Sequence, residues 1–306
     1  MGIKEDLSRW VDAGLIDVET ASAIERHETQ RSASNRIGRG VEAVAYLGAV
    51  LILLALVVFA VQFWDRLEQW GRFGLGSIVA LVLFVVGWVL GRADEPSVRR
   101  AQMLAWFLTV PATGLAAQVG FEELLEFDDR HVFLWVAVAA LVVAVVLWGQ
   151  RQSALQLVAM GLAAGTTVVA LVSLLEGAPD WSFGLSLAGL GVVWLFLTWG
   201  GVLQPVRTGY VLAAIGALAI AFPDASELPW PLIGLAVGLG LMALSVRLDQ
   251  AVLLGMGVAG LFLYIPIIVF EVFGESLGVP VALLMTGLVL LGVVMVSVRL
   301  RTPSRP

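Results

Sequence analysis

The feature that most constrains this chain is a series of long apolar runs that begins near Val41 and continues almost to the C-terminus. A helix needs about 20 apolar residues to cross the hydrocarbon core of a bilayer. Short connections separate the runs and carry nearly all of the charge. The runs predict ten transmembrane helices at residues 41–64, 73–91, 101–120, 132–149, 154–175, 181–201, 208–222, 230–246, 251–273 and 279–298.

The overall composition agrees with this interpretation. Of the 306 residues, 59% are hydrophobic and 14% are charged, whereas an average soluble chain has about 45–50% apolar and about 25% charged residues. The composition therefore predicts an all-α, polytopic integral membrane protein. The chain has no Cys, which excludes disulfides, thiolate catalysis and Cys-ligated metal sites.

The distribution of basic residues predicts the orientation of the spans, because cytoplasmic loops carry an excess of Lys and Arg. With a cytoplasmic N-terminus, 15 of the 18 Lys and Arg residues fall in cytoplasmic segments. The three external ones are Arg66, Arg72 and Arg130, and the external loops instead hold many acidic residues. The sequence therefore predicts that both termini are cytoplasmic.

The polar N-terminal segment, residues 1–35, has the periodicity of a helical hairpin followed by a linker, and residues 36–306 form the predicted transmembrane bundle with a short cytosolic tail. Apolar residues recur at helical spacing, at Ile3, Leu7, Trp10 and Val11. Gly14 is placed to end the first helix and Asp17 to cap the second. The hairpin has no basic recognition face, so it predicts no nucleic-acid binding and instead favours a small docking module or a module that lies against the membrane.

Prolines interrupt the third and ninth predicted spans. Each proline removes a backbone hydrogen bond, and a carbonyl freed in hydrocarbon needs a polar partner. These breaks predict a candidate substrate notch formed by Thr109, Pro111, Thr113, Gln118, Tyr264, Pro266 and Glu271. Two ordinary packed kinks are the alternative interpretation, and the sequence does not fix whether the two spans are neighbours.

Two pairs of glycines at four-residue spacing predict close helix packing. They are Gly161 with Gly165 and Gly234 with Gly238. Such packing can occur within one protomer or between protomers, so a homo-oligomer stays open. Ten spans can also form two inverted halves of five, although the two halves show no convincing similarity in sequence.

Residues that carry chemistry are scarce. His131 with Asp128 and Asp129 could bind a divalent cation weakly, but their spacing fits no metal motif, so neither a metal nor a cofactor is predicted. The centres of the spans offer Ser, Thr and Tyr without a carboxylate, His or Lys partner. Since acid–base and nucleophilic catalysis need such groups, we expect a protein that is not an enzyme.

Several strings in the first half of the chain carry a resemblance. They are LSRWVDAGLID with Leu7, Trp10, Gly14, Leu15, Ile16 and Asp17, then Tyr46-Leu47-Gly48-Ala49, Phe63-Trp64-Asp65, Arg72, Gln118 and the acidic loop that leads to Trp135. The strings resemble a family of prokaryotic predicted membrane proteins of the domain-of-unknown-function 2157 type. The resemblance implies a multi-pass protein of a bacterial or archaeal cell membrane with a cytosolic helical N-terminus. It implies no activity, ligand or catalytic residue.

Two functions are consistent with these observations. The first is a non-enzymatic membrane protein that is surrounded by lipid and acts through protein contacts of the hairpin. The alternative is a secondary transporter of a small metabolite or ion, which the ten spans and the two prolines support. The first is favoured because a coupling site usually shows a charge inside the membrane.

Overall fold

A computed structural model describes residues 3–25, 67–92, 96–221 and 229–271, together with a few single positions outside these ranges. The described residues form helices joined by short turns, and they contain no strand. The chain divides into two compact units, residues 1–68 and 69–306. The predicted boundary near residue 35 lies outside the described residues, as do the predicted first and tenth spans apart from single positions within them.

The first unit contains the N-terminal hairpin of two helices. Helix α1 spans Ile3–Asp12, and Gly14 follows it with a φ of 69°. The amide of Gly14 donates to the carbonyl of Val11, and the amide of Leu15 donates to that of Trp10. This pair of bonds is the Schellman motif, which favours Gly because its left-handed conformation strains other residues. The prediction that Gly14 ends α1 is confirmed.

Helix α2 begins at residue 18 and is described to residue 25. The amide of Thr20 donates to Oδ1 of Asp17 at 2.7 Å, which confirms that Asp17 caps this helix. Hydrogen bonds from the side chain and the amide of Thr20 lower the pKa of the Asp17 carboxyl below its ordinary value of 3.8. The cap therefore stabilises α2 fully above that value and is lost as the pH falls through the lowered pKa.

We expect Asp17→Ala to loosen the start of α2, because the substitution leaves the Thr20 amide without its acceptor. Hydrogen exchange of the full chain at neutral pH should then be faster in residues 18–25. Glu19→Ala is the matched control, since it also removes an exposed carboxylate from the same turn and leaves the cap in place. Equal exchange in the two variants would contradict the capping role.

The second unit contains eight described helices. They are α3 (Gln69–Leu90), α4 (Pro96–Val119), α5 (Asp129–Gln150), α6 (Ala154–Ser173), α7 (Trp181–Trp199), α8 (Val206–Leu218), α9 (Trp230–Leu248) and α10 (Ala251–Glu271). A π-helical turn, Gly120–Leu124, continues α4, and a 3-10 turn, Ala219–Ala221, continues α8. By length and composition seven of the described helices could cross a membrane, and α8 is a shorter apolar helix. The second to ninth predicted spans are therefore confirmed as helices.

Helices that follow one another in the chain also pack against one another, from α3 through α9, and α6 additionally contacts α4 and α8. Three groups of buried apolar side chains stabilise the described part of the unit. The first extends from α4 to α8 around Trp106, Leu157 and Trp194. The second joins α8, α9 and α10 around Leu253 and Tyr264, and the third, around Leu261 on α10, packs on α9. Large apolar side chains elsewhere, such as Trp70 and Leu81 on α3, are exposed, as expected for surfaces that face lipid.

Glycines allow a close helix contact between α7 and α8. A Cβ on Gly191 would lie 2.5 Å from the backbone nitrogen of Ala217. A Cβ on Gly216, the facing residue of α8, would lie 2.8 Å from the Cα of Gly191. Backbone therefore packs directly on backbone at this crossing.

The contact between α9 and α10 also depends on glycines. A Cβ on Gly257 would lie 2.6 Å from the carbonyl oxygen of Gly238, and one on Gly234 would lie 2.5 Å from the ring of Tyr264. Gly234 and Gly238 thus face α10, which confirms that this predicted pair packs helices together within the chain.

Candidate functional site

The part of the predicted notch on α4 is internally satisfied. Thr109 is buried, and its hydroxyl donates to the carbonyl of Ala105 at 2.9 Å. The hydroxyl of Thr113 donates to the carbonyl of Thr109, also at 2.9 Å. Helix α4 continues through Pro111, whose ring is exposed. Both hydroxyls therefore bond the backbone of their own helix, as Ser and Thr commonly do in helices.

An open cavity of about 340 Å³ lies beside the two threonines, between α3, α4 and α5. Its other lining residues are apolar, namely Ala80, Leu81, Phe84, Val142, Val143, Val146 and Leu147. Because the threonine hydroxyls already have acceptors, the cavity offers a ligand little besides apolar contact.

Gln118 lies at the other end of α4, where the helix changes to a π-helical turn. The side chain is exposed and donates weakly to Glu122 at 3.4 Å. In the same turn Glu123 forms an ion pair of 2.9 Å with Arg72 of α3, and both side chains are three-quarters or more buried. The π-helical turn brings Glu123 towards α3, and no local pattern in the sequence connects these two residues, which are 51 positions apart.

The part of the predicted notch on α10 is a packing site. Tyr264 is fully buried, and its hydroxyl donates to the carbonyl of Leu218 at the end of α8. This bond joins the hydroxyl of α10 to a carbonyl in the last turn of α8. Helix α10 continues through the partly buried Pro266 and reaches the exposed Glu271. Tyr264 therefore ties α10 to α8 while its ring packs on α9.

The structure places the predicted notch residues in three separate environments. Thr109 and Thr113 line the cavity between α3, α4 and α5, Gln118 lies by the π-helical turn, and Tyr264 packs among α8, α9 and α10. A substrate-binding role for these residues stays a prediction. The described residues contain no cluster of three or more metal-ligating side chains, and His131 lies 3.8 Å from Asp128 with both side chains exposed.

A groove with a mixed apolar and polar lining lies on the first unit, between α1 and α2. It has a volume of about 310 Å³ and is lined by Leu7, Val11, Asp12, Val18, Ala21, Ser22 and Glu25. We call it the hairpin groove. Beside it, large apolar side chains face outward, with exposed fractions of 41% for Trp10, 72% for Leu15 and 70% for Val18. The hairpin is therefore amphipathic, and part of its apolar surface is uncovered.

The model of a family described as "Predicted membrane protein (DUF2157)" matches residues 8–150. Over these residues the chain matches that family. The resemblance predicted from the sequence is thus confirmed over roughly the first half of the chain, and the described helices show a polytopic, all-α membrane protein. No curated protein and no solved structure matches the chain.

The matched stretch contains most of the hairpin and all of α3, α4 and α5. It therefore includes every lining residue of the hairpin groove except Leu7, the cavity beside Thr109 and the ion pair between Arg72 and Glu123. Tyr264 and Pro266 lie outside it. The family description gives no activity, so the function has to be argued from the surfaces of this chain.

Proposed function

We propose that the protein is a non-enzymatic membrane protein that acts through protein contacts of its N-terminal hairpin. The observation that supports this function best is the hairpin groove with its exposed apolar side chains. Exposed apolar surface of this kind, bordered by polar residues, is typical of sites for protein interaction. Trp and Leu side chains also contribute strongly as anchors in such contacts.

Charge indicates the chemistry of the partner. Residues 3–25 contain two basic and six acidic residues, a net charge of −4. The cytoplasmic leaflet of a membrane is negatively charged and repels such a surface. Asp12 and Glu25 lie in the lining of the hairpin groove. A protein segment with an apolar face and basic flanks, such as an amphipathic helix, therefore complements the hairpin.

The proposed function requires the hairpin to be accessible in the cytoplasm, so we propose that both termini are cytoplasmic in a prokaryotic plasma membrane. We expect a topology reporter fused at the C-terminus and one inserted between residues 122 and 131 to report opposite sides of the membrane. The excess of Lys and Arg in the predicted cytoplasmic segments is the physical reason. Reporters that indicate the same side would overturn this orientation.

The function can be tested with a photoreactive amino acid placed at single positions of the full chain in its native membrane. A probe at Val18, which lines the hairpin groove, should give one discrete protein adduct. The matched control is a probe at Ala23, which is also exposed on α2 but lies on the opposite face. The adduct from Val18 should disappear when Trp10→Asp is introduced, because a charge there disrupts the apolar contact.

The chemical nature of the adduct shows which kind of molecule occupies the groove. A protein adduct from Val18 that is absent from Ala23 supports the proposal, and its mass tells a second copy of this chain from another protein. Lipid adducts, or equal labelling from the two positions, would show that the hairpin does not dock on a protein.

The alternative function is a secondary transporter of a small metabolite or ion, with the cavity beside Thr109 and Thr113 as its site. The cavity has a suitable volume, since the smallest small-molecule sites have volumes of about 300 Å³. Two observations weigh against it. The cavity lining is apolar, and in the described parts of α3 to α10 every charged side chain lies within five residues of a helix end. The protein-contact function is therefore favoured.

A further inference from the structure

A buried polar group lies at the end of the second unit where α3 and α5 end and α4 and α6 begin. Gln102 of α4 is only 3% exposed. Its Oε1 accepts a hydrogen bond from Nη1 of Arg151, the residue that follows α5. Its Nε2 lies so close to Gly91, at the end of α3, that a Cβ on that glycine would be 2.5 Å away. Gln102 therefore lies in contact with the ends of both neighbouring helices.

Two arginines at this end of the unit have no carboxylate partner in the described parts of the chain. Arg151 is partly buried, and it donates to the neutral side chain of Gln102. Arg92 follows Gly91, and its guanidinium lies 3.7 Å from the ring centre of Trp88. A guanidinium has five N–H donors and no acceptor. Most donors of this pair are thus available to an anion.

Further donors point to the same place. Within the described residues, Nε2 of Gln102 donates no hydrogen bond to protein, and it is not among the fully enclosed atoms that lack a partner, so it stays accessible. Helix α6 begins three residues after Arg151, and Ser153 caps it by accepting from the amide of Gln156 at 3.3 Å. The N-terminus of a helix carries a partial positive charge that favours anions. The amide, the guanidinium of Arg151 and the start of α6 therefore form a concentrated set of donors, and no acid among the described residues pairs with them.

We propose that this cluster binds the phosphate of an anionic phospholipid headgroup. Phosphate matches the planar, bidentate donors of arginine. The cluster lies at the end of the membrane-spanning helices, where headgroups lie, and basic pockets between helices are known to bind such headgroups. Trp88, which supports Arg92, is 51% exposed on the lipid-facing helix α3 and is placed to contact the upper part of an acyl chain. The apolar exposure favours a lipid over a free phosphate ion.

The proposal concerns the second unit and does not depend on the function proposed for the hairpin. It can be tested on the purified full chain in a neutral detergent, by measuring the melting temperature as a function of added lipid. Phosphatidylglycerol should raise the melting temperature at low concentration, because a ligand that binds the folded state stabilises it. Phosphatidylcholine, whose headgroup has no net charge, and inorganic phosphate should have much smaller effects.

Arg151→Gln and Arg92→Gln should each weaken the apparent affinity for phosphatidylglycerol about tenfold, since each removes charged hydrogen bonds. Arg92→Lys, which keeps the charge, should retain part of the affinity. The matched control is Arg207→Gln. Arg207 is exposed near the start of α8, at the same end of the unit, because Trp148 near the end of α5 donates to Gln204 just before α8.

Three results would overturn the proposal. Equal losses of affinity in Arg151→Gln, Arg92→Gln and Arg207→Gln would show that the lipid is attracted by the basic charge of the whole surface and not by this cluster. An equal response to phosphatidylcholine would show that the headgroup charge does not matter. A full response to inorganic phosphate would show a site for a free anion. If Arg151→Gln does not fold, Arg92→Gln is compared with Arg207→Gln alone, and equal losses of affinity in these two variants would overturn the proposal.

Discussion

Gly191→Val should destabilise the folded membrane domain by about 3 kcal/mol or more. The new side chain would meet the backbone of Ala217 at 2.5 Å and that of Ala213 at 2.7 Å. Backbone cannot rotate away as a side chain can, so α7 and α8 would have to separate. Overpacking of a close contact usually costs about 1–3 kcal/mol, and more where nothing can yield. Thermal unfolding and size-exclusion chromatography of the purified chain in detergent would measure the loss.

Gly189→Val is the control for this prediction. Gly189 lies on the same helix, two residues away, and a Cβ there would have open space around it. The intrinsic effect of valine on the helix is the same at both positions, so the difference between the variants isolates the contact with α8. Two variants of equal stability would show that α7 and α8 do not approach as closely as described.

Tyr264→Ala should destabilise the protein by about 3–5 kcal/mol, because it empties the space of a fully buried aromatic side chain. Tyr264→Phe keeps the ring and removes only the hydrogen bond to the carbonyl of Leu218. It should cost about 1 kcal/mol, the usual scale for a single bond of this kind in a membrane protein. Chemical or thermal unfolding in detergent would separate the two contributions.

Tyr210→Phe is the matched control for the hydroxyl. Tyr210 is also buried, in the same group of side chains, but its hydroxyl makes no hydrogen bond to the described residues. Its removal should leave stability nearly unchanged. If Tyr264→Phe were as harmless, the hydroxyl of Tyr264 would not hold α10 to α8, and only the packing of its ring would matter.

The helices of the membrane domain could be predicted because apolarity alone defines them. Their ends were harder to place, since the first turn of a helix can be polar. Helix α4 begins at Pro96 rather than near residue 101. Its first five residues include Arg99 and Arg100, whose charge separates them from the apolar run that follows. Helix α8 ends at Leu218 and changes to a 3-10 turn, whereas the apolar run continues to Phe222.

Close contacts between helices could be predicted only when the two glycines that indicate the contact lie on one helix. Gly234 and Gly238 follow the spacing that is typical of close packing, and both face α10. Gly191 and Gly216 form the tighter contact, yet they lie on different helices, so no local spacing connects them. The same limit applies to polar groups. Gln102 and Arg151 are 49 residues apart, and Tyr264 and Leu218 are 46 apart.

The two prolines mark unusual residues but do not reveal their role. Tyr264 is polar and close to Pro266, and the structure shows that its partner is a carbonyl of α8. Thr109 and Thr113 lie close to Pro111, and their hydroxyls bond their own helix. A polar side chain in an apolar span can satisfy a backbone group as well as a ligand, and only the packing of neighbouring helices decides between the two.

The shortness of α8 has a consequence for how the chain enters the membrane. Its 13 residues and the 3-10 turn that follows extend about 25 Å, less than the hydrocarbon thickness of about 30 Å. The segment also contains Arg207, Thr208 and two glycines, which weaken its own tendency to leave the translocon for lipid. We expect α8 to insert together with α7, because glycines of α7 pack directly against the backbone of α8. A failure of that joint insertion would reverse the orientation of α9 and α10, so a single helix pair governs the topology of everything that is synthesised after it.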